Sequence, residues 1–357
     1  LVPECPDGAR ATAVASAVLS ALRHPTDLDG IPVQIGASIG VALAPAHARN
    51  VSGLLKHADI AMYAAKASGG GSRVYEAHTD TSSPARLALV MDLRSALDDG
   101  DLSIHVQPKA DLATGEVASV EVLARWEHPR HGVLLPDEFI PLAERTGLMR
   151  QLTVQILRLA LGHCAQWNRD GRQVNIAVNL SARSLTDVDL CEEVDHLLTA
   201  YGVPAHLLTL EITESTLMAD PDQAIRSLCR LRALGVRLSV DDFGVGYSSL
   251  SSLSRLPVQE LKIDRSFVRG MADSVDDALI VRSIVDLGRN LALDVVAEGV
   301  ENAQAWEQLR AMGCHLAQGY HVARPMPPSQ LEAWLAHWQR TRPTADDATL
   351  VAPRARA

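Results

Sequence analysis

Aromatic side chains are scarce: Phe, Trp and Tyr make up 4% of the 357 residues. A single-strand nucleic-acid binder stacks bases on aromatic platforms, so this composition argues against one. The core must be built from Ala, Leu, Val and Ile instead. Net positive charge is lacking too. The formal net charge is −10, a poor basis for holding a nucleic-acid polymer or an anionic membrane surface. An anionic ligand would need positive charge supplied locally. No Cys-x-x-Cys and no Cys/His metal spacing occurs. The five cysteines, Cys5, Cys164, Cys191, Cys229 and Cys314, are scattered and odd in number. That suits reduced, mostly buried thiols in a cytoplasmic setting better than a disulfide framework. No apolar run reaches the length of a membrane span, so no membrane contact is expected from this segment. The Ala-rich stretch ATAVASAVLSAL (11–22) lacks a basic leader and reads as an amphipathic helix, not a signal peptide. The chain begins at Leu1, which leaves upstream anchors or sensors open.

What is present is an ordinary globular composition, 47% hydrophobic and 21% charged. The length fits one large barrel or two ordinary domains. From about residue 100 to 335, short β-rich runs alternate with longer helical ones. Strand candidates are SIHVQP (103–108), VASVEVLARW (117–126), VNIAVNLS (174–181), LLTLEITES (207–215), VRLSVDD (236–242), ELKIDRSF (260–267), DVVAEGV (294–300) and CHLAQGY (314–320). Helices are expected near 137–168, 187–201, 221–234, 274–291, 302–312 and 328–340. Near-continuous apolar strands are covered on both faces, and alternating β and α points to a parallel sheet. About eight strands in roughly 240 residues is the size of a TIM-type (β/α)8 barrel. The tight turn LATGEV (112–117) joins the first two strands, so one of them is antiparallel. The expected fold class is α/β, a TIM-type barrel with one atypical antiparallel strand.

In such a barrel the chemistry sits at the C-terminal ends of the strands. Those ends read Glu121 in EVLARW, Asn179 in VNLS, Glu211 and Glu214 in LEITES, Asp241 and Asp242 in SVDDFG, Lys262 and Asp264 in LKID, Glu298 and Glu301 in AEGVE, and Gln318 in QGY. Singly, each has an ordinary alternative: an exposed strand face, a helix cap, a snorkelling lysine, a solvated turn. Converging on one face, they outweigh those readings, because buried acids are rare unless paired or metal-bound. Carboxylate and amide oxygens without His or Cys suit hard cations, Mg²⁺ or Mn²⁺. Glu121, Glu211, Asp241, Asp242 and Glu298 carry five negative charges. Two divalent cations and Lys262 would balance them, which favours a two-metal site with Asp241 as the bridging ligand. Such a site suits phosphodiester hydrolysis. Lys262 would deprotonate or orient the attacking water, its pKa lowered by metal charge.

These residues resemble the EAL-domain cyclic-di-GMP phosphodiesterases over about residues 84–338. The signature stands as EVL (121–123), followed by Arg125-Trp126. FIPLAERTG (139–147), NLS, EITES, DDFG, GYSSL, LKIDRSF, AEGVE, QGY and Arg324-Pro325 then follow in order. The resemblance implies hydrolysis of cyclic di-GMP to linear pGpG with Mg²⁺ or Mn²⁺. It implies Glu121, Asn179, Glu211 and Asp241 around one metal. The second metal falls to Asp241 and Asp242, with Asp264 and Glu298 nearby. Lys262, Glu298 and Glu121 are the implied catalytic residues. Gln107, Arg125 and Gln318 would contact substrate, and Glu214 would anchor the loop after Asp242. Glu301 would give only outlying support. A homodimer through that loop and its adjacent helices is also implied. Two positions depart from the family: Val245 stands where DDFGTG has threonine, and Val106 where a tyrosine precedes Gln-Pro. The alternatives are a catalytically silent cyclic-di-GMP receptor and a different TIM-barrel metal hydrolase.

Upstream, GASIGVALAPAH (36–47) and LLKHADIAMYAAKASGGGSRVY (54–75) resemble the C-terminal half of a GGDEF diguanylate cyclase domain. The signature itself is absent, and Gly70 stands near the place of an expected arginine, so no cyclase activity is implied despite Lys66. The expected domains are 1–78, a partial α/β GGDEF-like segment; 79–340, the EAL domain; and 341–357, a disordered tail. EAHTDTSSP (76–84) is the expected linker, and 86–98 the first helix of the barrel domain.

Overall fold

The computed structural model describes residues 2, 8–22, 26–28, 31–33, 36–67, 70–76, 84–246 and 253–342. Most of the expected linker and nearly all of the expected tail lie outside these residues, as does part of the loop after Asp242. The chain forms two compact units, Leu1–Leu93 and Arg94–Ala357.

In the first unit, α1 (Gly8–Leu22) precedes a small antiparallel pair, β1 (Thr26–Leu28) and β2 (Ile31–Val33). β3 (Ser38–Val41) then runs through α2 (Val51–Ala67) to β4 (Gly71–Val74), which pairs parallel with β3. α1 buries Ala11 and Ala15, four residues apart on one helical face. Gly40 on β3 lies directly under α2: a Cβ there would sit 1.8 Å from the Ala58 carbonyl oxygen and 2.3 Å from the Met62 nitrogen. The helix therefore rests on bare strand backbone.

α3 (Pro84–Asp99) runs across the boundary into the second unit, where β5 (Leu102–Asp111) and β6 (Val117–His128) follow, with β7 (Gly132–Leu134) as a short hairpin return. α4 (Pro136–Thr146) and α5 (Met149–Arg169) precede β8 (Asn175–Leu180), and α6 (Ala182–Leu185) and α7 (Leu190–Tyr201) lead to β9 (Leu208–Thr213). α8 (Glu214–Ala219) and α9 (Pro221–Ala233) connect to β10 (Arg237–Phe243), which is followed by β11 (Glu260–Ile263). α10 (Arg265–Gly270), α11 (Val275–Asn290), β12 (Asp294–Ala297), α12 (Ala303–Met312), β13 (Leu316–Gln318) and α13 (Leu331–Thr341) complete the unit. The sheet runs β5-β13-β12-β11-β10-β9-β8-β6, and a further β5–β6 pairing closes it into a barrel. β6 to β13 run parallel around the ring, apart from β7 at its rim. β5 is antiparallel to both of its neighbours. All eight expected strands are in place, and β5 is the expected antiparallel one.

The interior is set by strand alternation. Leu210, Leu238, Leu261 and Val295 are fully buried on one face of their strands, while the residues between them meet inside the ring. The helix expected over 137–168 is two helices. Gly147 ends α4 in a left-handed conformation, φ 77°, with its N–H bonded to the Ala143 carbonyl.

Gly40→Ala is expected to loosen the contact between α2 and β3 by at least about 1.4 kcal/mol, speeding amide exchange across α2 roughly tenfold. Amides of β9 and β10 should keep their rates. Unchanged exchange in α2 would show that the close approach carries no energy.

Candidate active site

The C-terminal mouth of the barrel gathers most of the expected residues around the ammonium of Lys262. Its Nζ lies 2.6 Å from Glu298, 2.9 Å from Glu211, 3.1 Å from Asp241 and 3.7 Å from Glu121. Lys262 and Glu211 are wholly buried. On the far side, Glu121 accepts from Asn179 Nδ2 at 2.7 Å and from Gln318 Nε2 at 2.5 Å. Gln318 Nε2 also reaches Gln107 Oε1 at 3.1 Å, and Gln107 Nε2 donates to the Ala323 carbonyl at 2.9 Å. A single connected network thus ties seven strands of the ring and the end of β12. Above it opens a cavity of about 840 Å³, whose lining includes Gln107, Glu121, Asp241, Asp242, Asp264, Glu298 and Gln318.

Asp241 and Asp242 are consecutive, and consecutive strand residues normally face opposite ways. Here Asp242 takes a left-handed backbone, φ 53°, and the pairing with β11 slips between Val240 and Phe243. The irregularity turns both acids to the mouth, where oxygens of Asp241, Asp242 and Glu298 lie within 4.8 Å of one another. A non-glycine residue in this region is uncommon and is held by its surroundings. The Asp242 N–H bonds to Asp241 Oδ1 at 2.9 Å. Glu214 Oε2 accepts from the N–H groups of Gly244 at 3.0 Å and Gly246 at 3.3 Å, just beyond.

The electrostatics show which acids resist ionising. Burial alone would lower the pKa of Lys262, but Glu121, Glu211, Glu298 and Asp241 overcome this and hold it well above its ordinary value. Burial would raise Glu211, yet Lys109 and Lys262 draw it down to about 2. Glu298 is pushed up to about 8 by burial, helped by Asp241 and Glu121 against the pull of Lys262. Asp242, although more than a third exposed, rises to about 6 through desolvation, then Asp241 and Asp264. Burial likewise raises Glu121. Crowded acids that resist ionising fit hard cations, which would supply the missing positive charge. Gln318 Oε1 is buried without a hydrogen-bond partner and is available to a ligand donor.

Arg125, Asp264 and Glu301 sit at the margin of the cluster. Arg125 is buried beside it, Nη1 donating to the Ala124 carbonyl at 2.7 Å, and it is not among the residues lining the cavity. Asp264 lines the cavity but also caps α10, accepting from the Ser266 N–H at 2.9 Å. Glu301 pairs with Arg269 at the rim. Val106 lies on the outer face of β5, fully buried and bridged through its backbone to Met326. Strand alternation turns this side chain to the face opposite that of Gln107. Lys109 and Glu260 were missed. Lys109 is fully buried, 2.5 Å from Glu211 and 3.2 Å from Glu260. Its signal was a lysine two residues after Gln107 in a strand that runs backwards.

Glu211 adds a pH dependence of stability. Its folded pKa of about 2 lies below the ordinary 4.5, so its contribution is complete above 4.5 and is lost as pH falls towards 2. Urea unfolding midpoints should fall more steeply over that window in wild type than in Glu211→Gln. Equal slopes would mean that Glu211 is not held by the two lysines.

Against known proteins, the EAL domain family model matches residues 90–325, and the diguanylate cyclase GGDEF domain model matches residues 1–72. The bifunctional diguanylate cyclase/cyclic di-GMP phosphodiesterase MucR of Pseudomonas aeruginosa is 43% identical over 339 residues, covering 94% of this chain and 49% of MucR. The cyclic di-GMP phosphodiesterase PdeR of Escherichia coli is 36% identical, covering 90% of this chain and 49% of PdeR. The chain thus spans about half the length of these curated relatives. A solved structure described as the PaMucR phosphodiesterase in complex with c-di-GMP superposes with a TM-score of 0.66 at 46% identity, covering 68% of this chain and 99% of that one. A match across more than half of the chain, a barrel closed by one antiparallel strand and the Glu121-Val-Leu triplet at its mouth lead to one conclusion: this chain belongs to the EAL domain family.

Proposed function

We propose that the chain hydrolyses cyclic di-GMP to linear pGpG at the barrel mouth, using two divalent cations, Mg²⁺ or Mn²⁺. The observation that carries this is the ring of carboxylates around Lys262, with Glu298, Asp242 and Glu121 all resisting ionisation. MucR and PdeR, described as cyclic di-GMP phosphodiesterases, support the substrate class. Glu121, Asn179, Glu211 and Asp241 would hold one cation. Asp241 and Asp242 would hold the other, with Asp264 and Glu298 beside it. The cations would neutralise phosphate charge and favour ionisation of the attacking water.

The protein's own groups do the rest. Lys262 is held protonated by its carboxylates, so it enters as a charged donor that orients the water, in preference to acting as a base. Glu298, 2.6 Å away and ionised once cations are bound, would receive the water's proton; as the water oxygen bonds to phosphorus the bond to one ribose oxygen breaks, and that oxygen leaves with a proton taken from Glu298 or solvent. Gln318 and Gln107 present amide groups at the cavity wall for phosphate or guanine, and Arg125 supports that wall from beside it. Glu214 fixes the loop through Gly244 and Gly246. Every expected carboxylate and the lysine are present, which supports an enzyme over a silent receptor.

We further propose a homodimer through the loop after Asp242 and its adjacent helices. Val245, Val275 and Leu279 are 63%, 77% and 57% exposed there, an unusual set for a solvated face. Residues 79–340 are proposed as the EAL domain and 1–78 as the partial GGDEF-like segment. Among the described residues no helix is long and apolar enough to cross a membrane.

Purified chain incubated with cyclic di-GMP and Mn²⁺ is expected to yield pGpG on anion-exchange chromatography, and none with EDTA. Asp241→Asn should lower turnover at least about a hundredfold. Turnover that survives EDTA would sink the metal assignment. A second check is thermodynamic. Glu298 and Asp242 are protonated below about 8 and about 6, and a cation competes with those protons. Mn²⁺ affinity should therefore rise from pH 6 to 8, with proton release at pH 7 visible by calorimetry in buffers of different ionisation enthalpy. Binding without proton release would place the cation elsewhere.

A further inference from the structure

Glu211 has a different partner on each oxygen. Oε2 faces Lys262 at 2.9 Å, and Oε1 is taken by Lys109 at 2.5 Å. Lys109 is itself fixed by Glu260 at 3.2 Å. Lys109 is fully buried and Glu260 almost so. Strand direction explains the arrangement. On parallel β11, Glu260 lies two residues before Lys262 and so one interior layer deeper. On antiparallel β5, the residue one layer deeper than Gln107 comes after it, and that residue is Lys109. Three strands, β5, β9 and β11, therefore meet in one buried clamp beneath the mouth.

We propose that Lys109 is a positioning residue for the cation site: it holds Oε1 of Glu211 from below and so turns Oε2, the oxygen on the Lys262 side, to the mouth as the one Glu211 offers to a cation. This rests on the cation reading above. A carboxylate anchored at neither oxygen can turn and chelate through either or both; one anchored at Oε1 from the barrel interior keeps a single oxygen turned to the mouth. Lys109 and Glu260 cancel in charge, so the pair leaves the charge balance of the mouth as it was. What the pair contributes is direction.

The test uses the double variant Lys109→Met/Glu260→Gln, which preserves net charge and removes only the clamp, with Glu260→Gln as control. Mn²⁺ binding is measured by calorimetry without substrate, beside urea unfolding midpoints. Support is a roughly tenfold weaker Mn²⁺ affinity in the double variant, little change in the control, and turnover of cyclic di-GMP restored by excess Mn²⁺. A lowered unfolding midpoint with unchanged Mn²⁺ affinity overturns the proposal, since Lys109 would then serve stability alone. If the double variant does not fold, a wild-type crystal structure with Mn²⁺ decides. Ligation through Oε2 alone supports the clamp, and bidentate or Oε1 ligation refutes it. Wild type is measured first: no Mn²⁺ binding there would fell the cation reading itself, and the clamp with it.

Discussion

A wholly buried ammonium surrounded by carboxylates is the interaction on which the rest of the barrel depends. Removing one charge from such a cluster leaves its partners unpaired in low dielectric, typically at about 3–5 kcal/mol. Glu121, Glu211, Asp241 and Glu298 each come from a different strand or strand end, and Lys262 touches all of them. Ring closure fixes those strands relative to one another, and the ion cluster is the reason their register has to be right. The fully apolar outer faces of the strands, packed under helices, supply the hydrophobic stabilisation that offsets burying so many charges.

The antiparallel first strand is best understood from the same cluster. A parallel strand carrying Gln-Pro-Lys would place its lysine above the glutamine, nearer solvent. Reversal of β5 drives Lys109 inward to the layer of Glu260 and brings Gln107 level with Glu121, its cross-strand partner. β13 joins β5 in the same antiparallel sense, with Gln318 opposite Lys109. The amides therefore line the wall and the lysine takes the floor. One strand reversal thus serves both substrate contact and the support of Glu211.

Much of this was legible in the sequence. Apolar runs of strand length alternating with helical periods gave the barrel, and the short LATGEV turn admitted only an antiparallel pair. Polar residues closing apolar strands marked the mouth, because a strand covered on both faces has no other reason to end that way. Other features depend on contacts that no local pattern reveals. Lys109 reads as a strand-end lysine until the direction of β5 and the positions of Glu211 and Glu260 are known. Asp242 follows Asp241, and strict alternation would send it outward; only the left-handed turn and the slipped pairing with β11 bring it back. Gly147 interrupts a long helical pattern whose apolar period continues on either side. Arg125 carries a phosphate-binding chemistry in sequence, but one nitrogen of its guanidinium is bonded to the Ala124 carbonyl and the side chain is buried beside the cavity.

The loop beyond Asp242 shows why a change in the family pattern at Val245 need not reach the chemistry. Backbone N–H groups of Gly244 and Gly246, on either side of Val245, both bond to Glu214. A Cβ at Gly246 would lie 2.6 Å from Glu214 Oε1, so the glycine is needed for that approach. The loop's attachment thus rests on main chain and on one buried acid, and a side-chain hydroxyl at 245 is not part of it. Val245 is 63% exposed and lines the mouth cavity together with Asp241 and Asp242. Valine in place of threonine there adds apolar surface at the rim and removes no carboxylate. Its effect would fall on what the mouth admits or on association of two copies, while the loop stays held through Glu214 and the backbone it bonds.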